Sequence, residues 1–209
     1  MTDKPSYRFY SYQVPVFDES KRLIDAFLGP ATQNDLATNW ECDWETIWDR
    51  SDFACQTIIK LTVNEDLWGL VRYGLYPYPV RKPDLHPRFA ILENLETHPS
   101  RKKERNPFRK PPPPAPSPYI HPVGKWLIWH ACQTALEHCI PADNPMLVLS
   151  ATAEAMTYYR DVIGMQMTDV GPSSFGEDSY AFSFDGSAAQ NFCDLQRVKF
   201  GDPQRIIEF

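Results

Sequence analysis

The sequence predicts an α/β fold in which a mixed, mostly antiparallel sheet is flanked by helices. Two strand-like runs, residues 55–63 and 67–76, are separated by a short polar turn, as expected of an antiparallel hairpin. Residues 121–165 then read in order as a turn, a helix, a buried strand and a second helix. The length of 209 residues and the apolar content of 43% suit a single domain spanning residues 1–209.

Composition and charge exclude several classes of protein. No apolar run approaches the roughly 18 residues of a membrane helix, and the first residues lack the apolar core of a signal peptide, so we expect a soluble cytoplasmic protein. Five cysteines without a C-x-x-C pair argue against a disulfide framework or a zinc ribbon. They are Cys42, Cys55, Cys132, Cys139 and Cys193.

The N-terminal residues predict a strand followed by a helix. Residues 7–16 alternate loosely and are rich in aromatic side chains, which predicts a strand ending near Pro15. Residues 18–29 place their large apolar side chains on one helical face. We therefore predict a helix with Asp18 as its N-cap and Gly29-Pro30 as its stop.

An aromatic stripe indicates a second helix over residues 35–50. Its members recur at spacings of three and four: Leu36, Trp40, Trp44, Ile47 and Trp48. We interpret the stripe as a core face, because aromatic side chains dominate the energetics of burial. A pocket wall or a partner surface is the alternative.

The central residues predict the antiparallel part of the sheet. After the hairpin, Phe89–Thr97 has the pattern of a further strand, and His98-Pro99 ends it. Gly69 and Gly74 weaken the second hairpin strand, so we expect bulges or a close approach of a ligand there.

Residues 100–118 form a basic and proline-rich insertion, which we expect to be flexible, in polyproline II conformation or disordered. Six of the 21 basic residues lie at positions 101–110 with one of the 27 acidic ones, which leaves an acidic body. The insertion has three interpretations: a passive surface loop, a lid or positive patch near phosphates, and a binding site for a proline-recognition module or nucleic acid. Phe108 is its only aromatic residue, which argues against nucleic acid.

The C-terminal half predicts alternating helices and strands. We expect an amphipathic helix over residues 123–139, an interior strand over 146–150 and a helix over 155–165 with Thr152 able to cap it. Residues 165–170 and 179–184 predict a closing antiparallel pair. The apolar residues after Ser187 suggest a tail that docks on the domain.

Residues 121–165 resemble the second half of the GNAT (acyl-CoA N-acyltransferase) superfamily. Residues 122–127 match the loop that binds the cofactor diphosphate and the helix after it, and residues 155–165 match the last helix with its tyrosine and glycine. The resemblance implies a GNAT-like fold with about six or seven strands, acetyl-CoA as cofactor, and an opening between the fourth strand, Phe89–Thr97, and the fifth. Two positions depart from the family pattern. Pro122 replaces the first loop glycine and removes an N–H donor, and the spacing from Tyr159 to Gly164 is one residue longer than usual.

The resemblance also implies which residues would bind the cofactor. Backbone amides of the fourth strand hold the pantetheine arm and polarise the acetyl carbonyl, and the first amides of the following helix hold the diphosphate. The implied residues are Leu95, Glu96, Thr97, Val123, Gly124, Lys125 and Trp126.

Three residues are implied in catalysis. Tyr159 aligns with the family tyrosine that protonates the departing thiolate, and Tyr158 is one residue off that alignment. Glu93 and Glu96 lie where several family members hold a base, and strand alternation predicts that they face opposite sides of the sheet. Beyond these three residues, His98 is a third candidate for the base, after the two glutamates, because histidine titrates near neutrality.

The function implied is acetyl-CoA-dependent N-acetylation of an unidentified small-molecule or peptide amine. The alternative is a non-catalytic GNAT-fold scaffold that binds a protein partner through the proline-rich insertion, and a homodimer stays open. The sequence contains no G-x-S-x-G, H-E-x-x-H or P-loop motif. His130 and His138 are two helical turns apart, too far to bind one metal ion, so we predict a structural role for them.

Overall fold

The computed structural model of the protein describes residues 7–76, 86–99, 119–140, 145–172 and 178–206. The strands are β1 (Ser11–Phe17), β2 (Leu23–Pro30), β3 (Gln56–Val63), β4 (Asp66–Tyr76), β5 (Phe89–Thr97), β6 (Leu147–Ala151), β7 (Gln166–Pro172), β8 (Asp178–Phe184) and β9 (Gln204–Ile206). The helices are α1 (Trp44–Asp49), α2 (Val123–His138), α3 (Ala153–Thr157), which continues as a π-helical turn (Tyr158–Ile163), and α4 (Gly186–Phe200); Gln33–Asp35 is a 3-10 turn.

One sheet joins all nine of these strands in the order β7-β8-β6-β5-β4-β3-β2-β1-β9. Strands β5 and β6 pair in parallel, and every other neighbouring pair is antiparallel. The predicted α/β class with a mixed, mostly antiparallel sheet is therefore confirmed. The strands β2 and β9 were not predicted.

The helix predicted over residues 18–29 is wrong, because this segment forms a turn and strand β2. The Asp18 carboxylate accepts hydrogen bonds from the backbone N–H (2.9 Å) and Nε (2.7 Å) of Arg22, which close a turn instead of starting a helix. β2 then fills the place between β1 and β3, where Ala26 and Leu28 are buried. Burial at every second residue outweighs the helical spacing of the apolar side chains.

The helix predicted over residues 35–50 is largely irregular and retains only α1. The Asp43 side chain caps α1 by accepting the Thr46 N–H at 3.1 Å. Trp44 is 1% exposed and packs with Ile58 and Leu70, with the rest of the aromatic stripe partly buried around it. The core interpretation of the stripe is therefore confirmed although most of the helix is not.

Helix α2 covers the opposite face of the sheet. A Cβ atom placed on Gly69 of β4 would lie 2.6 Å from Val123 Cγ1 and 2.7 Å from Leu127 Cδ1. The glycine thus lets the helix pack closely on the strand, where the sequence predicted a bulge or the close approach of a ligand. The pairing of β4 with β3 is irregular between Leu67 and Gly69, in agreement with a bulge. At the β3–β4 turn, Asn64 and Glu65 both have positive φ, as in two-residue hairpin turns.

The C-terminal residues dock on the domain, as predicted, through a helix and a strand that were not predicted. Helix α4 begins at Asp185, whose side chain accepts the Ala188 N–H at 2.7 Å, and packs against α2. Strand β9 pairs with β1 at the edge of the sheet. The apolar residues of the tail are spaced irregularly, so only the tertiary contact with α2 identifies the buried side of α4.

The predicted insertion at residues 100–118 lies outside the described residues, and its three interpretations stay predictions. All five cysteines are free, and four of them are buried. Among the described helices, none is both long and apolar enough to span a bilayer.

Candidate active site

The parallel strands β5 and β6 separate after three paired residues. Pairing runs from Ala90 with Leu147 to Leu92 with Leu149, beyond which the two strands have no common register. A cavity of about 560 Å³ lies beside the last residues of β5, beyond this pairing, and is bounded by the start of α2 and the helical segment that follows β6. It is lined by Glu41, Cys42, Leu95, Glu96, Thr97, His121, Pro122, Val123, Gly124, Lys125, Ala155, Tyr158, Tyr159 and Val162. The pairing of β5 with β6 thus ends before β5 does, at the place where the resemblance implied an opening between these two strands.

A β-bulge at Glu93 sets the orientation of the residues along the cavity. Asn94 pairs with Arg72 and Leu92 pairs with Tyr73, so Glu93 is an extra residue in β5. The N–H of Ala90, before the bulge, bonds to Met146 O on the β6 side, and the N–H of His98, after it, bonds to Trp68 O on the β4 side.

Alternation along the strand then identifies the amides that face the cavity. Since the N–H of His98 points towards β4, the N–H groups of Leu95 and Thr97 point towards the open β6 side. Of the three β5 residues predicted to bind cofactor, these two therefore direct their amide hydrogens into the separation, whereas Glu96 N–H points towards β4.

The bulge also corrects the prediction that Glu93 and Glu96 face opposite sides of the sheet. Glu96 lies opposite Leu70, and the Glu93 carboxylate contacts the side chain of Arg72, two residues along β4 from Leu70. Both glutamates therefore lie on the face covered by α1. An inserted residue reverses the side of the sheet on which each following side chain lies, and the sequence of β5 contains no pattern that predicts the insertion.

The Glu93 carboxylate belongs to a polar network beside the bulge and is not part of the cavity lining. Its oxygens contact Arg72 Nη2 (2.5 Å) and accept hydrogen bonds from Tyr76 Oη (2.6 Å) and Gln56 Nε2 (2.8 Å). Burial and the neighbouring carboxylate raise the pKa of Tyr76 to about 12, so this phenol stays a donor. These contacts connect the side chains of β3, β4 and β5.

The Glu96 carboxylate lines the cavity and holds the segment before α1. It is 5% exposed and accepts hydrogen bonds from Glu41 N (2.7 Å), Cys42 N (3.0 Å) and Trp44 Nε1 (3.1 Å). Because these backbone amides bond to a side chain, the segment before Asp43 does not join the helix. Glu96 thereby holds Glu41 and Cys42 in place, and these residues form one wall of the cavity.

The start of α2 forms the opposite wall. Pro122 occupies the N-cap position and offers no side-chain acceptor, so the amides of Val123, Gly124 and Lys125 begin the helix without a side-chain cap. These amides and the helix dipole favour an anion. Trp126, which was also predicted to bind cofactor, is fully buried outside the cavity lining and donates its Nε1–H to Pro15 O at 2.8 Å.

Tyr158 and Tyr159 reach the cavity from the π-helical turn. The backbone N–H groups of Gly164 and Met165 both bond to Tyr159 O, and Gly164 ends the helix with a left-handed φ of 83°. The π turn accommodates the extra residue between Tyr159 and Gly164 that the sequence showed. The departure in spacing is thus absorbed within the helix.

The two tyrosines differ in environment. Tyr159 is 7% exposed, its ring lies 5.9 Å from that of Phe182, and burial raises the pKa of its phenol to about 12. Tyr158 is half-buried, and a Cβ atom placed on Gly124 would lie 2.7 Å from its hydroxyl. The Tyr158 hydroxyl therefore lies against the first turn of α2.

The predicted histidines lie outside the cavity lining. His98 is buried beside Trp40 and Trp68, and burial lowers its pKa. His130 is completely buried, and burial lowers its pKa to about 3, so its ring is neutral. Its ring nitrogens lie 2.9 Å from Tyr73 Oη and 2.8 Å from Tyr10 O, in agreement with a structural role. No group of three metal-ligating side chains occurs among the described residues.

Comparisons with known proteins show the fold and no close relative. No known protein family and no curated protein matches the sequence. An uncharacterized protein from Bacillus halodurans is 9% identical with a TM-score of 0.56, over 92% of this chain and 98% of that one. A GNAT family acetyltransferase from Elizabethkingia anophelis with acetyl-CoA bound is 11% identical with a TM-score of 0.49, over 77% and 97%. Mycobacterium smegmatis RimJ in complex with CoA-disulfide is 11% identical with a TM-score of 0.48, over 93% and 96%. The chain therefore shares its fold with the Bacillus halodurans protein, and GNAT family acetyltransferases are among the solved structures to which it is similar.

Proposed function

From this GNAT-like fold, we propose that the protein is an acetyl-CoA-dependent N-acetyltransferase. The observation that carries the proposal is the cavity between β5 and β6, into which two sets of backbone amides converge. One set comes from the free edge of β5 and the other from the start of α2. A thioester cofactor with a diphosphate has groups that match both sets, because its carbonyl and amide oxygens accept hydrogen bonds and its diphosphate is an anion.

The residues that would hold the cofactor follow from this arrangement. The amides of Leu95 and Thr97 would bind the pantetheine arm and polarise the acetyl carbonyl, and those of Val123, Gly124 and Lys125 would bind the diphosphate. Gly124 lacks a side chain where Thr97 and Tyr158 approach α2, which leaves room for the Tyr158 hydroxyl beside the helix start. When bound, acetyl-CoA supplies an activated thioester whose acetyl group passes to an amine with release of the thiol.

Tyr159 would act at the leaving sulfur as a hydrogen-bond donor. A phenol with a pKa of about 12 retains its proton against a thiolate whose ordinary pKa is about 8.5, so complete proton transfer to sulfur is uphill. A hydrogen bond from the phenol to the developing negative charge is favourable and typically contributes about 1.5–3 kcal/mol. The proton lost by the amine then passes to solvent.

The carboxylates would act on the acceptor side. Glu96 lines the cavity, and Glu41 lies beside it, so together they would attract a cationic amine. Because three N–H donors already bind the Glu96 oxygens, its role is to place charge and to hold the wall at residues 41–44. Glu93 would support the strand geometry through its contact with Arg72.

Calorimetric titration with acetyl-CoA, combined with thiol-release kinetics on a panel of primary amines, tests the proposal. We expect one-to-one binding and amine-dependent thiol release. Tyr159→Phe should lower kcat roughly tenfold to a hundredfold while leaving the affinity for acetyl-CoA unchanged. Since the Tyr159 phenol stays protonated to pH 10 and above, kcat of the wild type and of the Tyr159→Phe variant should depend on pH in the same way between pH 7 and 10.

The control is Tyr180→Phe on β8, outside the cavity lining, which should retain the wild-type rate. If Tyr158→Phe lowers kcat and Tyr159→Phe does not, the assignment of the tyrosine is overturned. Absence of binding heat at high excess of acetyl-CoA would favour the non-catalytic scaffold. Two observations favour that alternative: Pro122 replaces a glycine of the predicted diphosphate loop, and the carboxylates of Glu93 and Glu96 already bond to groups within the protein.

A further inference from the structure

The junction between α2 and α4 forms a basic and aromatic rim at one end of the cavity. Lys125 in the first turn of α2 lines the cavity, and Lys199 lies near the end of α4. The Lys199 ammonium lies 5.4 Å from the centre of the Phe200 ring, which is 6.2 Å from the ring of Trp126 beside Lys125. The two lysines therefore project from neighbouring positions of two packed helices.

No carboxylate in the described part of the chain pairs with either of these two ammonium groups. Neither makes an ion pair or a side-chain hydrogen bond within the described ranges. Partial burial and the charge of Lys199 lower the pKa of Lys125, which indicates that the two charges repel each other. An anion bound between them would remove this repulsion and gain two charge-assisted contacts.

Aromatic rings continue the rim. Phe17 stacks on His121, which lines the cavity, with ring centres 6.0 Å apart and planes inclined by 26°. The ring of Phe200 lies 6.3 Å from Phe17. Two cationic side chains thus adjoin aromatic rings, a combination suited to a phosphorylated purine nucleoside, whose base can stack on a ring while its phosphate pairs with a cation.

We propose that Lys199 and Lys125 form a subsite for the 3′-phosphate of the cofactor's adenosine. This inference rests on the proposed function and adds a specificity determinant to it. Helix α4 follows the closing β7–β8 pair and lies outside residues 121–165, the stretch whose sequence resembles the GNAT superfamily. The subsite would let the protein distinguish coenzyme A from its 3′-dephospho form by means of a C-terminal helix that the sequence pattern did not predict.

Calorimetry with coenzyme A and with 3′-dephospho-coenzyme A tests the subsite. Wild type should bind coenzyme A roughly tenfold more tightly than the dephospho form. Lys199→Gln should remove most of this preference by weakening the binding of coenzyme A alone. Arg197→Gln is the matched control, because Arg197 is a cation of the same helix that already pairs with Asp202 at 3.0 Å, and it should keep the preference.

The outcomes separate this inference from the proposed function. Equal affinity of wild type for both ligands overturns the subsite and leaves the proposed function standing. Equal weakening of both ligands by Lys199→Gln also overturns it, because the lysine would then act on the fold and not on the 3′-phosphate. Absence of binding of either ligand overturns the proposed function and the subsite with it.

Discussion

Tyr158 and Tyr159 show how neighbouring residues acquire different roles at one cavity. Tyr159 lines the cavity with its ring beside Phe182 and keeps a protonated phenol, whereas the Tyr158 hydroxyl lies against Gly124. Sequence alignment with the family selected Tyr159 and could not detect the contact of Tyr158. Such a contact depends on the distance between two helices, which no local pattern encodes.

The contact between Gly124 and Tyr158 predicts a coupling between their substitutions. Gly124→Ala in the wild-type background should lower the free energy of unfolding, because the new Cβ would lie 2.7 Å from the Tyr158 hydroxyl. With Tyr158→Phe the nearest ring atom is 3.6 Å away, an ordinary contact. The alanine should then raise the free energy of unfolding by about 0.5–1 kcal/mol through its helix propensity.

Urea denaturation of the wild type, both single variants and the double variant measures this coupling. An equal effect of Gly124→Ala in both backgrounds would show that the hydroxyl does not lie against the helix.

At the scale of elements, local patterns predicted those strands and helices in which the spacing of the apolar residues matches that of the buried side chains. The β3–β4 hairpin, β5, α2 and β6 agree with the sequence within a few residues. β2 was mistaken for a helix because Leu23, Ile24, Phe27 and Leu28 recur at helical spacing, whereas pairing with β1 and β3 selects a strand that buries Ala26 and Leu28. Similarly, the bulge at Glu93 arises from strand pairing, so the sequence named the cavity residues of β5 but assigned the facing of Glu93 and Glu96 incorrectly.

The π-helical turn predicts that one residue after Tyr159 is dispensable. Asp161 is exposed and pairs with the adjacent Arg160. Its deletion should convert the π turn into regular α-helix and change the free energy of unfolding by less than about 1 kcal/mol, with acetyl-CoA binding retained. Asp161→Ala controls for loss of the side chain, and chemical denaturation with calorimetry provides both measurements. The π turn would be required if the deletion lowered the free energy of unfolding by more than about 3 kcal/mol or abolished acetyl-CoA binding.

At the scale of the whole molecule, three features converge on one cavity: the separation of β5 from β6, the start of α2, and the last helical segment with its two tyrosines. The sequence identified all three segments through their order along the chain. The Glu96 contacts with residues 41–44 and the position of α4 were not predicted, because they join segments far apart in sequence. The central claim is that this cavity binds acetyl-CoA through backbone amides on its two sides.

Amide chemical shifts measured by NMR during titration with acetyl-CoA test that claim most directly. The amides of Leu95, Thr97, Gly124 and Lys125 should all shift and give one common dissociation constant. Inorganic diphosphate alone should shift only the two amides of α2. If acetyl-CoA leaves these four amides unchanged, or shifts only amides far from the separation of β5 and β6, the account is contradicted.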